Sequence, residues 1–233
     1  MMYTYTILRA SEPLTMLPAG MVGELEVILQ GSLAAVTEPD LPMEVLQAND
    51  ETLLQSVVQH DRVIQDLFAQ ATLLPLRFGT YFVSRQALAE HLDTHTETYL
   101  KTLDSLQGKA EYTVRLTPVE IGDESGRSPL STESDDTVGA TGRDYFRRKK
   151  QQFESHMQLQ QRQHQELDEL KRAIAQQFSL VLFAEPQAGV ERIHVLIELD
   201  YRDTLISVLS DWQTHSTGWT LRLDAPLPPY HFV

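Results

Sequence analysis

Leu73-Leu-Pro-Leu-Arg-Phe-Gly-Thr-Tyr-Phe82, LLPLRFGTYF, is an apolar run broken by one Arg and one Gly. Read as a strand over Leu73–Phe78, its alternation puts Leu74, Leu76 and Phe78 on a core face and Arg77 on the other, with Leu73 and Pro75. Gly79 then ends the strand or supplies a bend that a Cβ disfavours. Arg77 either ties the second face to an acid or to helix C-terminal carbonyls, or contacts a partner; the structural role is the expectation.

Working outward, Asn49 or Asp50 can cap a helix reaching about Ala71, with a stripe of Leu53, Val57, His60, Ile64, Leu67 and Ala71. Upstream, Met2–Arg9 alternates Thr4 and Thr6 against Tyr3, Tyr5 and Ile7, a strand pattern. Leu25–Leu29 and Leu33–Thr37 flank Gln30-Gly31-Ser32 and read as a hairpin. Downstream, Ser84 caps a helix carrying Leu88, Leu92, His95, Tyr99, Leu103 and Leu106 on one face. The first unit, 1–108, is therefore α+β, of order β-ββ-α-β-α.

From residue 109 the order changes. Glu111–Pro118 is a strand, and Glu120–Asp136 has six acids against one Arg with Gly, Ser and Pro, a solvated acidic loop within about 120–142. A long helix spans about Arg143 to Gln177. Phe178–Ala184 and Ile193–Leu199 are strands joined by Pro-Gln-Ala-Gly, followed by a helix at Asp203–His215 and a strand at Gly218–Leu223. The order β-α-β-β-α-β predicts a modified ferredoxin-like fold for 109–233. The tail, LPPYHFV, is expected to dock in extended form, with Tyr230 and Phe232 entering one groove.

Composition bounds the function. The 233 residues hold 42% hydrophobic and 22% charged side chains, an ordinary globular balance, and no Cys. Absent Cys excludes disulfides, thiolate metal sites and a cysteine nucleophile. The start, MMYTYTILRASEPL, is not a signal-peptide pattern, and no apolar run approaches a membrane span. A net charge of −14 argues against a nucleic-acid binder. The expectation is a soluble cytoplasmic protein with protein or small-molecule partners.

No phosphate loop, dinucleotide fingerprint or nucleophile elbow is present. His91-x-x-x-His95 has the spacing of two helical metal ligands, but lacks the zincin glutamate and a third ligand, so neither metal nor cofactor is expected. His60 reads as a hydrogen-bonded core residue. Arg143, Arg147, Arg148, Lys149 and Lys150 form the basic cluster, either a solvated face neutralising the acidic loop or a docking patch for an acidic protein surface.

LLPLRFGTYF, preceded by QHDRVIQDLF with its His60, resembles the signature of the gas vesicle protein F/L (GvpF/GvpL) family. TGRDYFRRKKQQFE, the pair FSLVLFA and IHVLIEL, and the ending APLPPYHFV follow in the family's order, with Ala225 where a Gly is usual. The resemblance implies a non-enzymatic minor gas vesicle component required for vesicle formation. It would bind the main hydrophobic shell protein, and other minor gas vesicle proteins, during nucleation and assembly. It would act from the cytoplasm into the vesicle, with neither nucleic acid nor membrane as partner. Arg143, Arg147, Arg148, Lys149, Tyr230 and Phe232 are the candidate partner contacts; His60, Pro75, Arg77, Phe78 and Gly79 are the structural motif. The competing class is a small-molecule- or haem-binding enzyme of ferredoxin-like architecture.

Overall fold

In the computed structural model of the chain, strand β1 (Met2–Arg9) lies inside an antiparallel sheet that organises everything N-terminal. Residues 1–46, 49–119 and 142–233 are described, save the side chains of 43, 45, 142–145, 148 and 152. The acidic 120–136 stretch lies outside the described residues. β2 (Glu26–Gln30) and β3 (Leu33–Pro39) form the expected hairpin, with Gln30 opposite Leu33 and Gly31 at φ +56° in the two-residue turn. The strand order is β2-β3-β1-β4, with β5 also pairing β1.

β4 (Leu73–Pro75) and β5 (Tyr81–Phe82) pair with the same edge of β1, against Thr6–Leu8 and Met2–Tyr3 respectively. LLPLRFGTYF is therefore two short strand pieces interrupted by a turn, shorter than the Leu73–Phe78 strand expected. The turn breaks the alternation. Leu73 and Phe78 join one apolar cluster, and Leu74 and Leu76 the other.

A second departure sits in β1. Its register with β3 shifts between Thr4 and Thr6, a β-bulge at Tyr5. An extra residue reverses side-chain parity, so Tyr3, Tyr5 and Leu8 share one cluster while Met2 and Ile7 face the other. The Tyr3–Tyr5–Ile7 face expected from simple alternation is split for this reason.

Both sheet faces are covered. α1 (Met43–Leu46) is short; α2 (Asp50–Phe68) is capped by Asn49, whose Oδ1 accepts from Thr52 N–H at 2.8 Å. α2 buries Ser56, His60, Val63, Ile64 and Leu67, whereas Val57 is exposed, so the apolar stripe contacts the core only after the first two turns. The other face receives α3 (Arg85–Thr94), capped by Ser84, and α4 (Thr96–Leu106). One helix was expected here; it breaks at His95 (φ −107°, ψ 11°), yet Leu88, Leu92, Leu103 and Leu106 still share a cluster.

β6 (Lys109–Pro118), α5 (Gly142–Gln177), β7 (Val181–Phe183), β8 (Glu191–Glu198), a one-turn 3-10 helix (Leu199–Tyr201), α6 (Arg202–His215) and β9 (Trp219–Leu223) follow. The second sheet has the order β7-β8-β6-β9. The whole is α+β with two sheets. By contacts the chain divides into unit 1, Met1–Thr113 with His194–Arg202 and Ala225–Val233, and unit 2, Val114–Ile193 with Asp203–Asp224.

Unit 2 buries Val114, Leu116, Leu167, Leu170, Ile174, Phe178, Ile193, Leu205, Leu209 and Trp219. Within it, α5 is fastened at Gln163 and Glu166. The indole Nε1 of Trp219 donates to Gln163 O at 2.7 Å, and Glu166 accepts from Gly218 N–H at 2.9 Å and Ser216 Oγ at 2.8 Å. Burial acts to raise the Glu166 carboxyl, but these donors and those of Thr217 outweigh it and hold it below the usual range.

Candidate interaction surface

His60 explains why LLPLRFGTYF turns where it does. The imidazole is buried, and its Nε2 donates to the Leu76 carbonyl at 3.1 Å. Its Nδ1 accepts from the Tyr3 hydroxyl at 2.8 Å, and that oxygen in turn accepts from Gly79 N–H at 3.2 Å. One side chain from α2 thus holds the strand end through two backbone groups. Burial lowers the His60 pKa, against the opposing pull of the Leu76 carbonyl and Asp61, which leaves the ring neutral as this pattern requires. Phe78 packs edge-on to both Tyr3 and His60, and Pro75 is buried opposite Thr6. Gly79 has φ +86°, the left-handed region a side chain disfavours.

Arg77 does not act as the expected tether. It is exposed, and its guanidinium makes no hydrogen bond or ion pair with the described residues; only its carbonyl is used, accepting from Thr80 N–H at 3.2 Å. The turn is closed by backbone and by His60, so the charge is left to solvent.

Glu38, on β3, is the other buried anchor of this face. It is 1% exposed and accepts from Tyr5 Oη–H at 2.5 Å and from the N–H groups of Met21, Val22 and Gly23 at 2.8, 2.8 and 2.5 Å. Three consecutive backbone donors curl around one carboxyl, pinning the loop to the sheet. Gly20 is required there, because a Cβ would come within 2.6 Å of the Gly23 carbonyl.

The tail of unit 1 centres on Glu111, itself fully buried. Glu111 N–H and C=O pair with Leu227 at 3.0 and 2.9 Å, and its carboxyl accepts from His231 N–H at 2.9 Å and His231 Nδ1 at 2.6 Å. His194 Nδ1 lies 3.2 Å from the same oxygen and is hydrogen-bonded to Thr113 Oγ1 at 3.0 Å. Glu111, His194 and His231 have the composition of a metal-ligand set. Their nitrogens are already engaged within the protein: the imidazoles stack face to face, centroids 3.8 Å apart and 19° from parallel, with His231 Nδ1 on Glu111 and His194 Nδ1 on Thr113. The group is a clasp for the tail.

Tyr230 N–H bonds Pro228 O at 2.7 Å and Phe232 N–H bonds Pro229 O at 3.2 Å, so the tail is turned, not extended. The turn separates the two aromatics. Half-buried Tyr230 packs on the Tyr3–Val63 cluster and donates to Asp61, while Phe232 packs on the Leu88–Leu103 cluster. Burial first, then the Asp61 hydrogen bond, raises the Tyr230 phenol well above its ordinary range.

His91 and His95 are also placed without a common focus. His91 Nε2 meets Tyr99 Oη at 2.7 Å, whereas His95 Nδ1 donates to the His91 carbonyl at 2.8 Å. Their roles are to close the break between α3 and α4.

The surface that stands out is the N-terminal part of α5. Phe146 and Phe153 are 72% and 65% exposed, and Met157 is exposed beside them. Arg147, Lys149 and Lys150 are exposed on the same part of the helix, Lys150 lying 3.8 Å from Glu154. The side chains of Arg143 and Arg148 lie outside the described residues. Phe153 and Met157 were missed in the sequence because the basic block drew attention instead; their spacing on a helix with few other apolar residues was the available signal.

The family described as gas vesicle synthesis protein GvpL/GvpF matches residues 1–233. The chain belongs to this family. Gas vesicle protein F of Streptomyces sp. (strain CB03234) is 26% identical over 251 residues, covering 99% of this chain and 98% of the relative. The crystal structure of GvpF from Anabaena sp. PCC7120 has a TM-score of 0.71 at 16% identity, covering 99% of this chain and 94% of that one. GvpF from Microcystis aeruginosa gives 0.68 at 13% identity, covering 99% and 98%. The fold is thus the GvpF fold, and family membership gives the chain a gas vesicle-related role in a family of structural and assembly proteins. Among the described residues, no helix is long and apolar enough to cross a membrane.

Proposed function

We propose that this protein is a minor gas vesicle component required for vesicle formation, which binds the main hydrophobic shell protein during nucleation and assembly and limits its aggregation. The carrying observation is the family match from residue 1 to residue 233. Exposed rings on α5 support the reading, since shell subunits awaiting assembly need their apolar surface covered. Arg143, Arg147, Arg148 and Lys149 speed and orient the encounter, because complementary charge acts chiefly on association rate and specificity. Tyr230 and Phe232 serve the tail's docking rather than the partner. The protein works in the cytoplasm before the shell closes and then accompanies the vesicle.

Co-expression with the main shell protein tests this. The two are expected to co-purify, with more shell protein kept in solution than when it is expressed alone. Two folded, soluble proteins that do not associate would overturn the proposal.

A further inference from the structure

α5 changes character along its length. From Gln163 onward it is fastened by Trp219, Gly218 and Ser216 and buries Leu167, Leu170 and Ile174. Before Gln163 its described side chains are nearly all exposed. At 100° per residue, Phe146, Phe153, Met157 and His164 fall within an arc of about 40°. That seam runs about 27 Å at 1.5 Å per residue. It ends in a shallow depression lined by Met157, Gln160, Gln161, His164 and Gln165.

On the same wheel Lys149 and Lys150 flank the N-terminal end of the seam, one on each side within about 60°, whereas positions 148 and 162 lie on the far side. Between Gly142 and Gln165 the sequence has six Arg or Lys (143, 147, 148, 149, 150, 162) and two acids (144, 154), on a chain where 33 acids outnumber 19 Arg and Lys. Apolar residues separated by seven and four positions form knobs that only a second helix, running nearly alongside, follows over such a length. Basic flanks select acids beside that helix's own apolar stripe.

We infer that the seam Phe153–Met157–His164 of α5 is a docking surface for an amphipathic helix of a partner protein, of which it seats about three turns, with acidic residues flanking that helix's apolar stripe. This refines the assembly reading, on which it rests for taking the partner to be a gas vesicle component. Phe153 and Met157 supply the apolar contact. Lys149 and Lys150, on either side of the seam, face the acids, Lys150 exchanging its loose contact to Glu154. The shallow depression at Met157–Gln165 receives one large apolar side chain.

The test uses the full chain and two 21-residue helical peptides with the same heptad leucines, one flanked by Glu and the other by Lys. The Glu peptide is expected to bind with at least tenfold higher affinity by fluorescence anisotropy, and to weaken as salt rises. The double variant Phe153→Gln/Met157→Gln, whose melting temperature should match the parent, is expected to lose tenfold or more. Equal binding of the two peptides, or of parent and variant, overturns the proposal. So does a parent dimer that the double change converts to a monomer in light scattering, since the occupant is then a second copy. If the variant still co-purifies with the shell protein as the parent does, this placement fails while the assembly reading stands. If the parent never binds the shell protein but binds the Glu peptide, the assembly reading fails and the surface remains.

Discussion

The Tyr3–Tyr5 end of β1 and the first half of α5 use side chains in opposite ways. Around Tyr3 and Tyr5, polar groups are driven inside and paired: His60 with Tyr3 and Leu76, Glu38 with Tyr5 and the Met21–Gly23 loop. Along α5, apolar rings are left outside among Gln, Arg and Lys. Buried polar groups must be satisfied and so tolerate little change, whereas exposed rings contribute little to the fold and are available for binding. Stability and function should therefore separate by region.

The sharpest way to break that contrast is Glu38→Ala. It leaves the buried Tyr5 hydroxyl proton and the Val22 and Gly23 N–H groups without their acceptor, with only the Met21 N–H still held, by Tyr5 Oη. The change should lower unfolding free energy by about 3 kcal/mol or more in urea titration. A loss near zero would mean the Met21–Gly23 loop does not depend on this carboxyl.

His60→Leu comes next, at about 2 kcal/mol, since Tyr3 Oη and the Leu76 carbonyl both lose a partner. It also carries a pH signature. The folded His60 pKa is lowered, so below about 6.5 the unfolded chain takes up the proton first. The neutral ring's contribution is full above that value and is lost as pH falls through the window below it. His91, lowered chiefly by burial, adds in the same direction. Unfolding free energy measured from pH 7.5 down to 5 should fall less steeply in His60→Leu than in the parent; identical slopes would remove His60 from the account.

The smallest effect belongs to α5. Phe153→Gln should change unfolding free energy by less than about 0.5 kcal/mol, as an exposed helix position does. A loss of 2 kcal/mol would show that the ring is part of the fold.

Much of this was legible in the residues. The Gly31 hairpin, the Asn49 and Ser84 caps and the extent of α5 follow from local chemistry that neighbours do not override. What alternation missed were long-range events. The bulge at Tyr5 depends on pairing with β3 about thirty residues away, and the split of Leu73–Phe78 depends on His60 reaching over from α2. Glu111, His194 and His231 come from three distant segments, each unremarkable alone, so no spacing announced their meeting. The basic cluster was visible as charge, but Phe153 and Met157 gained interest only once burial placed them outside.

The interleaving of the two units has a practical consequence for dissecting the chain. No single cut frees unit 1. A fragment ending at Thr113 would lack Leu196 from the Leu88–Leu92 cluster and Phe232 beside it, and would leave Glu111 buried without His231. Unit 2, conversely, takes in Asp203–Asp224 only after the chain has passed through His194–Arg202 of unit 1. A single nick by limited proteolysis should therefore leave the three segments of unit 1 held to one another, and exchange of either unit between relatives requires several coordinated splice points.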